Sequence, residues 1–480
     1  MIFLRKQPHR ALLTAGLLAT LAGCASVAPQ AGREAVAALA QGRTANVTPD
    51  AAALGRAPEA DTVRQIDTLL ATPLTADAAV RIALLNNPGL QARLAALQVS
   101  DADRAQAGQL PNPHFAFGRL LEGDQLALER TLRFDVLGLL TLPWRLQWQE
   151  RQQALAQLEV AQDVIRLAAD TRKAWFHAVA AQQTAAYTAD AREATAAAAE
   201  LARRMVGAGN FSRYRQAREQ LQLADAAAQE ARARQAAFSA GEQLTRLLGL
   251  WGTQAQFTLP ERLPDLPAAP TEARDIEAQA LRERLDVRAA LDEHRHLAAA
   301  QGLTRATGYV NALDVSVKRN TGFDNAAGTR NTARGWELEL PLPMFDHGSA
   351  RNARAEGLVL QAAGRVRDVA VRARSEAREA YHGYRSAFEL ARHYRDEIVP
   401  LRRFLNEETG LRYNGMLLSV WDWLADTRAQ ALAVASAIEA QRDFWIADTD
   451  LHTALTGTSP GALATLRAAP PAGASNSGGH

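Results

Sequence analysis

Residues 145–206 contain neither glycine nor proline, and nothing else in the chain limits its possible folds so severely. Roughly 60 residues of unbroken helix rise about 90 Å, more than any compact globular domain needs. Leu155, Leu158, Ile165, Phe176 and Val179 recur at helical spacings, with alanine filling much of the remainder. That is the pattern of a long rod packed closely along one stripe. The stretch "VGAGNFS" at residues 206–212 ends the rod, and residues 213–248 are expected to return beside it as an antiparallel partner.

The plan occurs twice. Residues 349–409 form a second outgoing rod with Pro400 expected to kink it, residues 413–419 a second turn, and residues 420–455 a second return. "ERLDVRAAL" (283–291) lies over "NNPGLQARL" (86–94). Ala174-Trp175-Phe176 matches Ala380-Tyr381-His382, and Gly209 matches Gly415, both at a spacing of 206. A repeat this long is an internal duplication rather than a solenoid unit. Between the copies, residues 259–275 carry four prolines, which forbid regular helix and mark a linker.

Each copy places a pair of alternating segments before its rod: residues 114–120 with 126–136, and 312–323 with 335–342. In the last segment Trp336, Leu338, Leu340 and Leu342 alternate with Glu337, Glu339 and Pro341, the apolar-out, polar-in pattern of a barrel strand. Residues 324–334 read as a polar connection. Four strands cannot close a barrel alone, since small barrels use about eight, so membrane-spanning strands would require oligomerisation.

At the N-terminus, Arg5, Lys6 and Arg10 precede an apolar run from Ala11 to Ala22, too short to cross a bilayer comfortably, and then Gly23 and Cys24. This reads as a bacterial export signal. Leu21-Ala22-Gly23-Cys24 resembles the lipobox of bacterial lipoproteins, which implies cleavage after Gly23 and acylation of Cys24. Ala25 follows where inner-membrane retention favours Asp, so the resemblance implies sorting to the outer membrane. Cys24 is the sole cysteine, which excludes a disulfide within the chain and any multi-cysteine metal site. A formal net charge of +2 gives no mark of a nucleic-acid binder.

The chain shows no catalytic motif: there is no G-x-S-x-G elbow or phosphate-binding glycine loop. His294 and His296, two apart on a helix, point to different faces and read as solvated side chains rather than a metal site. The stretch "RVRDVAVRARSEAR" (365–378) reads as the wet side of an amphipathic rod, with an anion-favouring channel lining as the other possibility. Trp421, Trp423 and Trp445 read as packing or partner-contact residues rather than membrane anchors.

The order and duplication of these marks resemble the TolC-like outer-membrane efflux proteins, in particular their lipoprotein branch, over residues 74–457. "ALLNNPGLQA" (83–92), "AGQLPNP" (107–113), "LPLPMFDHG" (340–348), "YNGMLLSVWDWL" (413–424) and "DTDLHTALTG" (448–457) carry the likeness. The sequence departs from the family pattern at Leu285, where proline is common, and the first copy lacks the Phe-Asp-x-Gly element. The resemblance implies a mainly α fold with a membrane β part: duplicated long-helix hairpins forming an α-barrel tunnel, and four strands per chain in a trimeric twelve-stranded β-barrel. It implies a homotrimer in the cell outer membrane, lipid-anchored, with the helical tunnel in the periplasm, and a periplasmic adaptor and an inner-membrane pump as partners. No cofactor and no enzymatic activity are implied. The domain reading is a signal peptide (1–23), a lipidated leader of weak periodicity (24–73), a first repeat (74–258), the linker (259–275), a second repeat (276–457) and a disordered C-terminal tail (458–480). The alternative function is a lipid-anchored periplasmic adaptor. One hairpin inside a β-rich module is expected of an adaptor, whereas two hairpins, each preceded by its strand pair, favour the channel.

In that architecture the turns containing Gly209 and Ser212, and Gly415 and Ser419, lie at the periplasmic end. Asp422 matches the first acidic position of the family's aperture element "LDVLD". The second position falls on Ala425, with Asp426 one residue later. Asp422 and Asp426 are therefore the candidate periplasmic gate, and the bland alternative for Asp422 is a helix-capping role.

Overall fold

The computed structural model describes residues 31–51, 54, 60–306 and 312–463. The signal peptide, Cys24 and residues 464–480 of the expected tail lie outside the described residues. In chain order the elements are α1 (Ala31–Ala40), α2 (Ala60–Leu70), α3 (Ala76–Asn86), α4 (Pro88–Ala107), β1 (His114–Glu122) and β2 (Gln125–Asp135). The rod α5 (Val136–Gly207) and its return α6 (Arg213–Leu248) complete the first copy. The second copy repeats the order as α7 (Ile276–Glu283), α8 (Leu285–Ala306), β3 (Asp314–Asp324), β4 (Thr329–Glu339) and α9 (Ser349–His393). A π-helical turn (Tyr394–Ile398), α10 (Val399–Asn414) and α11 (Val420–His452) follow.

The chain forms two compact units. One comprises Ala95–Gln157 and Ala290–Val366 and holds the strands; the other comprises Arg33–Leu94, Leu158–Ala289 and the chain from Arg367 onward.

In the strand unit the order is β1-β2-β3-β4, antiparallel throughout. Two residues, Gly123 and Asp124, close the first hairpin, with Gly123 at φ +57°. The second turn is shorter than expected, since β4 begins at Thr329. The Asp324 carboxylate accepts the Ala326 and Ala327 N–H groups at 3.0 and 2.9 Å, so four residues suffice. At its other end β4 stops at Glu339, before Leu340 and Leu342, because Pro341 has no N–H for a ladder. Register sets His114, Arg133, Ser316 and Glu337 side by side in one row and Phe115, Leu132, Val317 and Trp336 in the next. Rows alternate between faces, so one face is polar and the other largely apolar and exposed.

The rod α5 starts nine residues before the expected Arg145, running through Gly138 and Pro143. The Asp135 carboxylate accepts the Gly138 N–H at 2.7 Å, which caps the early start. A Cβ on residue 138 would stand 2.8 Å from the Pro111 ring, so only glycine fits. His296, expected in solvent, is 3% exposed. The Trp148 ring lies 3.9 Å from it and Gln152 Nε2 is 3.0 Å from its Nε2.

In the second unit the core has two centres. One gathers Trp175, Phe176, Val179, Leu244 and Leu248, with Ile66, Leu74 and Ile82 from the preceding segments. The other gathers Tyr384, Phe388, Phe444 and Leu455. Trp445 joins them, stacked on Phe176 at 5.6 Å and edge-on to Phe444 at 5.0 Å. The leader of expected weak periodicity contains α1 and α2. Val36 and Ala40, four apart on one face of α1, and Ile66 of α2 are fully buried, a pattern that a mean over an alanine-rich stretch conceals. The linker contains no helix but is tied down: Pro264 O accepts from Trp445 Nε1 at 3.0 Å and from Gln441 Nε2 at 2.6 Å, and Leu263 is buried.

The duplication is visible in the backbone. α3 and α7 end at Asn87 (φ −65°, ψ 117°) and Arg284 (φ −66°, ψ 132°), and the next helix restarts at once in both. These two residues occupy matching positions and both act as clamps. Asn87 Nδ2 donates to Leu247 O at 2.9 Å. Arg284 is fully buried, bound to Asp286 at 3.0 and 2.6 Å and to Glu376 at 2.8 Å, and Glu376 also accepts from Ser459 at 2.8 Å.

Candidate gate at the helical turns

The turn after α5 reverses on Gly209, at φ +78°. Gly209 N–H donates to Val206 O at 3.0 Å and Asn210 N–H to Met205 O at 2.9 Å, which satisfies the last carbonyls of the rod. In the second turn the left-handed residue is Met416, at φ +58°, and Gly415 has φ −81°. Met416 N–H donates to Tyr413 O at 2.9 Å and Leu417 N–H to Arg412 O at 2.8 Å. The partner of Gly209 is therefore Met416, not Gly415, a correction of the sequence match by one residue. The cause lies upstream. Ala174 and Ala380, both buried, keep the spacing of 206, whereas Ser212 and Ser419, both N-caps, stand 207 apart. The π-helical turn at Tyr394–Ile398 absorbs the extra residue, with Val399 N–H reaching Tyr394 O. Its position answers Pro400, which has no N–H and whose ring crowds the preceding turn. The expected kink at Pro400 is thus a π turn, and the rod continues to Asn414.

Both returning helices start at a serine in extended conformation. Ser212 Oγ accepts the Arg215 N–H at 3.2 Å. Ser419 forms a reciprocal box: its Oγ accepts the Asp422 N–H at 3.3 Å, and Asp422 Oδ2 accepts from Ser419 Oγ at 2.7 Å and from Ser419 N–H at 3.3 Å. Among the described residues Asp422 Oδ1 takes no hydrogen bond, and the side chain is exposed. Asp426, one helical turn on, is half-buried and accepts from Thr409 Oγ1 at 2.5 Å. The two candidate gate carboxylates thus differ: Asp422 caps and keeps one oxygen open, whereas Asp426 is held across the hairpin.

Aromatic rings join the turns. Phe211 stacks on Trp421 at 4.8 Å, and Tyr413 on Trp423 at 5.5 Å. Arg428 bonds Glu219 at 2.8 Å, linking α11 to α6. Thr427 donates to Asn406 at 2.9 Å, and Asn406 to Gln430 at 2.7 Å. In the last turns of α5, Arg203 and Arg204 grip Glu200 and hold its carboxyl down at about 2. Leu411, Met416 and Leu417 are exposed around the second turn.

No family model matches the sequence, and no curated protein matches it. Solved structures do. The outer membrane protein VceC of Vibrio cholerae superposes with a TM-score of 0.64 at 15% identity, covering 80% of this chain and 96% of VceC. The Campylobacter jejuni CmeC outer membrane channel gives 0.61 at 15% identity, covering 81% and 87%. The open state of the Neisseria gonorrhoeae MtrE outer membrane channel gives 0.56 at 18%, covering 80% and 89%.

The fold is that of the outer-membrane channels. Within this channel fold the sequence-identified residues Gly209, Ser212, Gly415, Ser419, Asp422 and Asp426 gather at the two helical turns. Cys24 lies outside the described residues. Trp421, Trp423 and Trp445 take part in the packing expected of them. The arginine-rich stretch is partly paired within the chain, with Arg365 on Glu293 and Arg378 on Glu277, both at 2.8 Å. Sequence reasoning missed the clamps Asn87 and Arg284. Their signal was the match of "NN" with "ER" at a helix break.

Proposed function

We propose that the chain is the outer-membrane channel of a tripartite efflux system, a passive conduit for drugs, small toxic compounds or metal ions from the periplasm to the exterior. The observation that carries this reading is the open sheet. Among the described residues the outer edges of β1 and β4 pair with no strand, and Phe115, Phe117, Trp336 and Leu338 are exposed on one face. An apolar sheet with free edges is stable in a bilayer only when closed. Three copies supply twelve strands and close it. Among the described residues no helix is long and apolar enough to cross a membrane, and this reading assigns insertion to the strands. Two rods per chain then line a tunnel whose mouth is ringed by the turns, where Asp422 forms the gate, with Asp426 behind it. A periplasmic adaptor docks there and an inner-membrane pump supplies the energy. Acylated Cys24 anchors the leader to the outer membrane. Two hairpins, each preceded by its strand pair, argue against the adaptor reading.

Density fractionation followed by planar-bilayer recording tests the proposal. The expected result is an outer-membrane trimer with stable conductance. Recovery with the inner membrane, or no conductance from an inserted trimer, would refute it. Mass analysis of the mature N-terminus checks Cys24 separately.

A further inference from the structure

The sheet sorts its charges by face. Every Asp and Glu of the four strands lies on the face shared by His114 and Glu337. The opposite, apolar face carries no carboxylate and five arginines: Arg119, Arg130, Arg319, Arg330 and Arg334. Three of them, Arg130, Arg319 and Arg334, stand directly opposite one another across β2, β3 and β4, and Phe117 completes the row. Basic residues of the polar face find partners there: Arg133 lies 3.3 Å from Glu339, and Lys318 pairs with Glu337. Among the described residues none of the five arginines is paired with a carboxylate. Adjacent strands are about 4.8 Å apart, and like charges directly opposite destabilise a sheet. Next to the row Thr321 is 1% exposed with its hydroxyl unpaired.

Such a row on an apolar face needs an anion from outside the chain. We propose that Arg130, Arg319 and Arg334 bind the phosphate groups of lipid headgroups in the leaflet nearer the hairpin turns. The placement rests on the channel reading. Arg130, Arg319 and Arg334 are each the sixth of eleven strand residues, and Arg119 and Arg330 lie on their turn-ward side. Because arginine on the lipid face of a barrel is costly at the bilayer midplane and nearly free at the interface, the placement sets this row at the headgroups and the turn-ward half of the strands beyond them. On its helix-ward side Trp336, Leu338, Leu340 and Leu342 are all exposed and supply the surface for hydrocarbon. The planar guanidinium fork matches phosphate oxygens two at a time. Three forks on adjacent strands span roughly 10 Å, room for a headgroup carrying two phosphates. A bisphosphorylated glycolipid of the outer leaflet fits that span and charge.

The full chain is placed in nanodiscs of phosphatidylcholine with lipid A bearing both phosphates, with dephosphorylated lipid A, or with phosphatidylglycerol. Lipid retained per chain after detergent exchange is counted by native mass spectrometry. Wild type is expected to keep bisphosphorylated lipid A about tenfold over the dephosphorylated form. The triple variant Arg130→Gln, Arg319→Gln, Arg334→Gln should lose that preference, and the Arg→Lys triple should regain part of it. Equal retention of the two forms of lipid A by wild type overturns the proposal whatever the variants do. Phosphatidylglycerol held as strongly as bisphosphorylated lipid A overturns the assignment to the outer-leaflet glycolipid. Carbonate extraction of the same wild-type material separates the two readings: a chain that fails to insert refutes the channel, and one that inserts without phosphate preference refutes only this inference.

Discussion

Asp422 has two roles that substitution can separate. As the third residue of α11 it closes a box with Ser419, and under the proposed channel reading its exposed carboxylate would also offer Oδ1 to passing ions. Ser419→Ala removes the cap and leaves the charge. It should cost about 1 kcal/mol, read by denaturant melts, with cation selectivity unchanged. Asp422→Asn removes the charge and should weaken cation selectivity and block by multivalent cations in planar bilayers, because three carboxylates around an axis concentrate cations. An intact Asp422→Asn trimer with wild-type selectivity would leave Asp422 a cap alone. Acid acts through other residues. Burial pushes the imidazoles of His177 and His452 below their ordinary value, helped by Arg442 and Arg172 respectively. The unfolded chain then binds protons first, so stability should fall as pH drops through about 6.5. Asp448, raised by burial, works in the opposite sense only in the carboxylate range above about 3.8. His296 is lowered in the same way by burial, with Arg151. Melting temperature against pH checks the sign, and replacing His177, His296 and His452 with Gln should flatten the slope. Sequence legibility at this scale was uneven. The capping serines stand before long helical runs and could be read. The burial of His296 could not, because it depends on Trp148, far away in the chain.

At the scale of elements, repeats and rods were legible because glycine and proline are absent over long stretches and the returning α6 is bounded by a glycine turn and Gly249. The extra residue of the second rod escaped, since a π turn leaves no apolar gap in the pattern. It leaves only the mismatch between a spacing of 206 before it and 207 after it. Pro400 was the visible half of the signal. The break between α7 and α8 yields a prediction. Arg284 is fully enclosed, with Asp286 and Glu376 at 19% and 14% exposure. Arg284→Ala strands two carboxylates and should cost about 3 kcal/mol, visible as a lower urea midpoint. Replacing all three charged groups with apolar residues of similar volume should recover most of that loss. A midpoint unchanged in Arg284→Ala would mean the cluster is hydrated.

For the whole molecule, the edges of β1 and β4, which pair with no strand among the described residues, predict which surfaces would meet between copies under the channel reading. With Cys24 replaced, cysteine at Ala116 on β1 combined with cysteine at Ala333 or Gly335 on β4 should give oxidised dimers and trimers on a non-reducing gel. Monomer at every pairing along the two edges would count against closure by neighbouring chains. From the sequence, four strands are too few to close a barrel, so neighbours are needed if the strands span a membrane; the sorting of charge between the faces was not legible, because it requires the register of all four strands at once.

The π turn also bears on how the two copies could diverge. Because the additional residue is taken up inside the rod, fifteen or so positions before the reversal, everything from the last turn of the rod to the cap of the returning helix keeps a common backbone in both copies. Residues 206–212 and 413–419 are equal in length and bounded by the same serine. Selection can therefore rewrite one turn, trading a glycine for a methionine and an arginine for an aspartate three residues after the cap, while the other stays as it is. The two tips form an exchangeable cassette on a shared frame, and the one-residue difference in rod length sits where it disturbs neither.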